Sequence, residues 1–128
     1  KMKRLFAVSA VLALFLTGCG SSTATKMGPS EFQMKASEAG IVLLDVRTSS
    51  EFNVGHIANA INIDVEGMTF GGDVTKLDKT ATYAVYCQSD RRSGIAVGKM
   101  KEAGFTNLFE LDGGILAWQS AGYPTVAN

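Results

Sequence analysis

The sequence predicts an α/β domain in which a parallel sheet is covered by helices on both faces. Short apolar or β-branched runs alternate with segments whose apolar residues recur at helical spacing. Gly and Pro residues separate most of these segments, as expected at the ends of helices and strands. The length of 128 residues suits one domain with a real core and is too short for two of ordinary size. We therefore expect a single active or binding site.

The predicted elements alternate along the chain. The predicted strands are residues 41–46, 60–63, 81–86 and 107–111, and the predicted helices are residues 29–40, 49–55, 93–103 and 115–121. Residues 65–79 contain three glycines and are expected to be irregular, with one helical turn. The continuous apolar run at 41–46 is typical of a strand that is buried on both faces of a parallel sheet.

Charge argues against a nucleic-acid-binding protein. The chain has 12 basic and 12 acidic residues, and three of the basic ones lie among the first four positions. The remainder is slightly anionic, so a site for an anionic ligand has to be built from local groups.

The N-terminus has the pattern of an export signal, predicted to be residues 1–18. A basic start is followed by an uncharged stretch from Leu5 to Leu16, and Leu16-Thr17-Gly18-Cys19 ends it. Twelve residues of helix span roughly 18 Å, too little for a hydrocarbon core of roughly 30 Å. The ending resembles the lipobox of bacterial lipoproteins, which implies lipidation of Cys19. The alternative is an ordinary signal peptide in which Cys19 has no role.

This resemblance predicts an exported protein that is attached to a bacterial membrane by its N-terminal lipid. The domain, residues 28–128, would lie in the periplasm or outside the cell. Residues 19–27 would form the lipidated end and a flexible tether, because they are rich in Ser, Thr and Ala. Cys87 would then have no cysteine to pair with, and a free thiol in an oxidising compartment suggests chemistry.

Cys87 directly follows the predicted strand 81–86, at the sheet edge where open α/β proteins place ligands. The segment reads Cys87, Gln88, Ser89, Asp90, Arg91, Arg92 and Ser93, and Ser93 is predicted to be the N-cap of the next helix. Backbone amides, the helix dipole and neighbouring arginines favour a thiolate over a thiol, and can lower a cysteine pKa from about 8.5 to between about 3.5 and 7.5. The loop is therefore predicted to be both a nucleophile and an anion site.

A strand followed by a cysteine-led loop of six residues that ends in Arg resembles rhodanese sulfurtransferases. Two further motifs agree with this resemblance, one from Asp45 to Ile63 and one from Gly113 to Pro124 with Trp118. The resemblance covers roughly residues 28–126. It implies a five-stranded parallel sheet, a persulfide on Cys87 as the intermediate, and no cofactor or metal. One departure is Asp90, where many family members have Gly.

The resemblance also implies roles for the loop and its surroundings. A sulfane donor such as thiosulfate would be bound by residues 88–93 and would transfer its outer sulfur to Cys87; cyanide or a thiol would then accept it. The loop amides would hold the sulfur anion and the arginines the donor, with Arg92 the stronger candidate and Arg91 equally well a solvated neighbour. A structural role beside the site is expected for Asp45, Arg47, Glu51 and His56.

Two other functions stay open at this point. In one, the domain is a non-catalytic module that carries a persulfide or binds a partner, which Asp90 favours because a carboxylate opposes anion binding. In the other, it is a phosphatase-like enzyme. Phosphatases with a similar loop have five residues between Cys and Arg, whereas Cys87 and Arg92 enclose four, so this loop is one residue short for phosphate.

Overall fold

The computed structural model of the protein describes residues 24–128. The predicted signal peptide, Cys19 and the first residues of the predicted tether lie outside the described residues. The strands are β1 (Thr25–Met27), β2 (Ile41–Asp45), β3 (Ile61–Asn62), β4 (Thr82–Tyr86) and β5 (Leu108–Leu111). The helices are α1 (Pro29–Ala36), α2 (Ser49–Val54), α3 (Phe70–Thr75), α4 (Arg91–Glu102) and α5 (Gly114–Ser120).

The five strands form one parallel sheet in the order β1-β5-β4-β2-β3. β4 lies at the centre, and its residues pair with β2 on one side and with β5 on the other. The predicted α/β fold with a five-stranded parallel sheet is therefore confirmed. Since all strands run in one direction, their carboxyl ends meet at one edge of the sheet, and Cys87 lies at that edge.

β1 corrects the predicted tether. The sequence predicts a flexible segment at its three residues, but the structure shows a strand. Thr25, Lys26 and Met27 pair with Phe109, Glu110 and Leu111 of β5, respectively. The folded domain thus begins before Gly28. The segment has no apolar periodicity of its own, and its strand conformation comes from hydrogen bonding to β5.

The sheet separates two buried clusters of side chains, and β4 contributes alternately to both. Tyr83, Val85 and Cys87 pack with residues of α3 and α4 on one face. Ala84 and Tyr86 pack on the other face, where α1 and α5 lie. Successive side chains of a strand point to opposite faces, so a continuous apolar run is what a central strand covered on both sides requires.

The segment after β3 is more ordered than the sequence indicated. α3 contains six residues, and its Phe70 and Val74 are buried against the β4 and α4 side of the core. No helix in the described range 24–128 is long and apolar enough to span a bilayer.

Tyr86 ties the central strand to the turn after α2. Its hydroxyl accepts a 3.0 Å hydrogen bond from the buried N–H of Ile57. Replacing Tyr86 with Phe leaves this N–H without a partner, so we expect the free energy of unfolding to fall by about 1–3 kcal/mol. Urea denaturation measures the change. The control is Tyr83→Phe, since the Tyr83 hydroxyl donates to the carbonyl of the exposed residue Asp78 in a part-buried hydrogen bond. Equal losses in the two variants would contradict this account.

Candidate active site

Cys87 is the first residue after β4, and only Gln88, Ser89 and Asp90 separate it from α4. Its side chain is 1% exposed and packs with the core on the α4 side of the sheet. It forms no disulfide with any residue that the structure describes. The thiol is therefore buried in the core at the end of β4, next to the loop that leads into α4.

The start of α4 corrects the predicted role of Ser93. The helix begins at Arg91, its N-cap is Asp90, and Ser93 is its third residue. Asp90 makes no side-chain cap bond to the helix. Since the first N–H groups of a helix have no acceptor within it, an uncapped start leaves amides and the positive end of the dipole available to an anion.

Both arginines lie in the first turn of α4, and each is bound to a glutamate from a distant part of the chain, Arg92 to Glu51 of α2 and Arg91 to Glu66 of the segment before α3. Arg92 donates from Nη1 and Nη2 to the two carboxylate oxygens of Glu51, at 2.6 and 2.8 Å. Arg91 donates to Glu66 at 2.7 Å in a much more exposed pair. Cations at a helix N-terminus oppose the helix dipole, so these carboxylates offset an unfavourable arrangement. No local sequence pattern marks Glu66 as part of this site.

Glu51 has a second set of contacts in the turn between β2 and α2. Thr48 and Glu51 form a capping box, in which the Thr48 hydroxyl accepts from the Glu51 N–H and the Glu51 carboxylate accepts from Thr48. The hydrogen bonds from Arg92, and further those from Thr48, lower the pKa of Glu51 from 4.5 to about 2. Glu51 is thus ionised at all physiological pH values and connects α2 to α4.

The other residues predicted to support the site lie next to this turn. Asp45 and Arg47 form a buried ion pair, with Nη2 to Oδ2 at 2.6 Å, and Arg47 also donates to the carbonyl of Gly55. His56 stacks on Phe52, and its Nδ1 lies 2.7 Å from the carbonyl oxygen of the same residue. These contacts fix the β2 to α2 turn.

Asp90 does not need the conformation that glycine favours, since its φ is −146°. Its carboxylate accepts from the N–H of Gly113 at 3.0 Å and lies 3.4 Å from the ammonium of Lys26. The side chain is therefore bound to β1 and to the start of α5. Lys26 also was missed, because the segment containing it was not expected to be part of the fold.

A buried carboxyl group lies under the loop. Ser93 Oγ is 2.9 Å from Glu110 Oε1 and 3.0 Å from the carbonyl oxygen of Asp90. Glu110 is 2% exposed, and burial raises its pKa. The Ser93 hydroxyl donates to this carboxyl group, and that hydrogen bond opposes the rise in pKa that burial causes. Glu110 is a third residue that the sequence analysis did not single out.

The backbone of the loop rests directly on α5. The carbonyl oxygens of Cys87 and Gln88 accept from the N–H groups of Ile115 and Leu116 at 2.9 and 3.3 Å. A Cβ atom on Gly114 would lie 2.5–2.6 Å from the Cys87 and Gln88 backbone, and the φ of Gly114 is 62°. Only glycine fits here, which explains the second glycine of the predicted turn.

A cleft of about 470 Å³ lies beside the loop. Its lining residues are Arg47, Ser50, Glu51, Val54, Gly55, Gln88, Ile115, Gln119 and Thr125. Val54 is 84% exposed at its edge. Residues 24–128 contain no group of three or more His, Cys, Asp or Glu side chains arranged to hold a metal ion.

The fold and the site together define a class of protein. It is an α/β domain with a cysteine at the carboxyl end of the central strand of a parallel sheet. Residues 28–121 match the family model of the rhodanese-like domain, and the chain belongs to that family.

Relatives and solved structures agree with this assignment. The chain is 35% identical over 108 residues to the uncharacterized protein slr1261 of Synechocystis, covering 83% of this chain and 59% of that one. It is 36% identical over 78 residues to a probable adenylyltransferase/sulfurtransferase MoeZ of Mycobacterium tuberculosis, and the match covers 61% of this chain and 20% of that one. A rhodanese-related protein of Thermoplasma volcanium superposes with a TM-score of 0.72 at 30% identity, over 81% of this chain and 99% of that one.

A further solved structure is the thiosulfate sulfurtransferase of Pseudomonas aeruginosa, with a TM-score of 0.68 and 25% identity over 82% of this chain and 20% of that chain. The curated relatives are longer than the matched region, since the chain covers less than two thirds of the length of slr1261 and a fifth of MoeZ.

Gly114→Ala tests the close approach of α5 to the loop. The added Cβ meets backbone atoms and the residue keeps a left-handed φ, so we expect a loss of about 3 kcal/mol or more in the free energy of unfolding. The control is Gly98→Ala within α4, where a Cβ meets nothing within 4 Å. It should stabilise the protein by roughly 0.5–1 kcal/mol. Denaturant titration that ranks the two variants in the opposite order would contradict the packing described.

The ion pair between Glu51 and Arg92 predicts a pH dependence. Because the folded-state pKa of Glu51 is about 2 and its ordinary value is 4.5, its contribution to stability is present above pH 4.5 and is lost as the pH falls towards 2. At pH 7, Glu51→Gln should lower the free energy of unfolding by about 1–2 kcal/mol. The difference in free energy of unfolding between the wild type and Glu51→Gln should shrink steadily as the pH falls from 4.5 towards 2.

The matched control for this pH series is Glu38→Gln, since Glu38 pairs with Lys35 on the surface. Such exposed pairs contribute roughly 0–1 kcal/mol, so little change is expected at any pH. A difference between the wild type and Glu51→Gln that stays constant from pH 7 to pH 2 would contradict the proposed linkage.

Proposed function

We propose that the protein is a sulfurtransferase that moves a sulfane sulfur from a donor such as thiosulfate to a thiophilic acceptor through a persulfide on Cys87. The single observation that carries this proposal is the position of the thiol, which is buried at the carboxyl end of the central strand, with three residues between it and an uncapped helix start. Membership of the rhodanese-like family supports it, as does the likeness to proteins whose names include sulfurtransferase.

In the first step the Cys87 thiolate attacks the outer sulfur of the donor. A bond forms between Sγ and this sulfur while the donor's own bond to it breaks, and sulfite or its equivalent leaves with the electron pair. In the second step an acceptor thiol or cyanide attacks the outer sulfur of the persulfide, and the Cys87 thiolate is released. Each step exchanges one bond to sulfur for another.

The groups around the loop would stabilise charge in both steps. The uncapped amides at the start of α4 would bind the outer sulfur anion in the way that an oxyanion hole binds oxygen. Arg92 would supply positive charge in a position fixed by Glu51. Gln88 and Ser89, at the open side of the loop, would contact the donor.

A second candidate is a module that holds a persulfide or a partner without turning over small substrates. It is favoured by the burial of Cys87 and by the carboxylates that already occupy both arginines. The relatives include larger proteins of other names. One is a tRNA uridine(34) hydroxylase of Legionella pneumophila, which is 30% identical over 99 residues; the match covers 39% of that protein.

We also propose that the protein is exported and attached to a bacterial membrane through a lipid on Cys19.

The experiment measures sulfur transfer directly. The purified protein is incubated with thiosulfate or another sulfane donor, and its intact mass is recorded before and after addition of cyanide. We expect a gain of one sulfur atom that cyanide or a thiol removes, and no gain in Cys87→Ser, because the bond forms on Sγ.

The control variant is Met68→Ser, since Met68 is fully exposed and outside the cleft. It should load sulfur like the wild type. Absence of a gain with every sulfane donor would refute transfer chemistry and favour the binding module. A sulfur that loads but is not released to any acceptor would favour the carrier.

A further inference from the structure

The N-terminal half of β2 has a strand neighbour on one side only. β4 pairs with all five residues of β2, whereas β3 pairs with Leu44 and Asp45 alone. Among the described residues, no strand therefore lies beside residues 41–43 on the side of β3. An open stretch of sheet edge presents backbone groups to which another extended chain can bind.

Two backbone groups of this open edge point away from β4. The C=O of Asp45 accepts from the N–H of Ile63, so it points towards β3. Backbone groups alternate between the two sides of a strand, so those of Ile41 and Leu43 point the same way. β3 begins at Ile61 and reaches neither the C=O of Ile41 nor the N–H of Leu43. No backbone carbonyl within residues 24–128 accepts from this N–H, although Leu43 is 7% exposed.

A groove of about 480 Å³ lies beside this edge, and we refer to it as the α1 groove. It is lined by residues 41–43, by the second half of α1 and by residues 57–59 of the turn before β3. Trp118 and Tyr123 add aromatic surface, with ring centroids 4.7 Å apart. The volume lies within the usual range of ligand pockets.

Charge restricts what the α1 groove can bind. None of its lining residues, all within the described range, is Asp, Glu, Lys, Arg or His. A charged side chain that entered it would lose its hydration without meeting a counter-charge. The side chains of Leu43, Ile57 and Trp118 belong to one buried apolar cluster. An uncharged, apolar partner is therefore complementary to the groove.

We propose that the α1 groove binds an extended, uncharged peptide segment of another protein as an added strand parallel to β2. One peptide residue donates its N–H to the C=O of Ile41 and accepts from the N–H of Leu43, as a continuation of the ladder that β3 makes. Its two neighbours direct apolar side chains to the face of the sheet where Trp118 lies. The backbone pair supplies affinity, and the groove selects the side chains.

The inference goes beyond the proposed function, because the two sites lie on different faces of the sheet. Cys87 packs with the cluster on the α4 side, whereas the α1 groove is lined by the cluster on the α1 and α5 side. Peptide binding and sulfur transfer can therefore be measured separately, and failure of one leaves the other intact.

The first measurement uses Trp118 as the reporter, since it is the only tryptophan of the chain and lines the groove. The purified full chain is titrated with the capped peptide acetyl-Leu-Ala-Leu-amide, and the tryptophan fluorescence is recorded. We expect a saturable change, because the leucine side chains contact the indole ring. Absence of a saturable change up to about 10 mM peptide would overturn the proposal.

Two matched peptides test the backbone pairing and the charge argument. In the first, lactic acid replaces the central alanine, so an ester oxygen stands in place of the N–H while the side chains stay the same. We expect about fivefold weaker binding, because the C=O of Ile41 loses its donor. In the second, lysines replace both leucines, and binding should be lost. Equal affinity of the parent and the ester would overturn the strand pairing, and equal affinity of the lysine peptide would overturn the charge argument.

A matched pair of protein variants tests the location of the site. Ser30 and Ser37 are exposed residues at the two ends of α1, and of the two only Ser37 lines the groove. Ser37→Phe should weaken peptide binding by about tenfold because the ring fills the space. Ser30→Phe should bind like the wild type, and both should unfold at the temperature of the wild type. Equal affinities in the two variants would overturn the location.

Sedimentation equilibrium distinguishes a peptide of another protein from a second copy of this chain. We expect the wild type to sediment as a monomer at the concentrations of the titration, with or without the peptide. A dimer that dissociates on addition of the peptide, or in Ser37→Phe, would show that a second copy occupies the groove and would overturn the proposal.

Discussion

The bidentate contact between Arg92 and Glu51 is the interaction on which the geometry of the site depends. α4 starts with two arginines, where a helix dipole favours anions, and Glu51 supplies the compensating charge from a different part of the chain. The same carboxylate caps α2 through Thr48. The ion pair therefore joins the first turn of α2 to the first turn of α4, and separation of the two helices leaves an unpaired charge in a partly buried setting.

A parallel sheet makes this arrangement possible. β2, β4 and β5 are neighbours and run in the same direction, so the segments that follow them converge at one edge. The segment after β2 supplies Glu51, the segment after β4 supplies the thiol, and the segment after β5 supports the loop backbone through Gly114. The three segments meet at the end of β4, and no residue from Cys87 to Ser93 has a left-handed backbone.

The parts of the fold that the sequence predicts are those determined by nearby residues. The apolar run that became β2 and the position of Cys87 after β4 needed no knowledge of distant contacts. β1 could not be found in this way, because it is a strand only through its pairing with β5, more than eighty residues away in the chain.

The candidate site shows the same division. The cysteine and the arginines were recognised from their spacing, but their partners were not. Arg92 finds its carboxylate 41 residues earlier, Arg91 finds its own 25 residues earlier, and the hydroxyl of Ser93 turns to Glu110, 17 residues later, instead of capping its helix. Local patterns identify which groups can react, whereas folded contacts decide the charge that surrounds them.

The bond between Lys26 and Asp90 gives the edge of the sheet an influence on the reactive loop. β1 has three residues and pairs with one neighbour only, so it is an edge strand of the sheet. Without Lys26, the carboxylate of Asp90 would keep only the hydrogen bond from the N–H of Gly113, so the edge strand supplies the one positive charge that, among the described residues, faces this carboxylate.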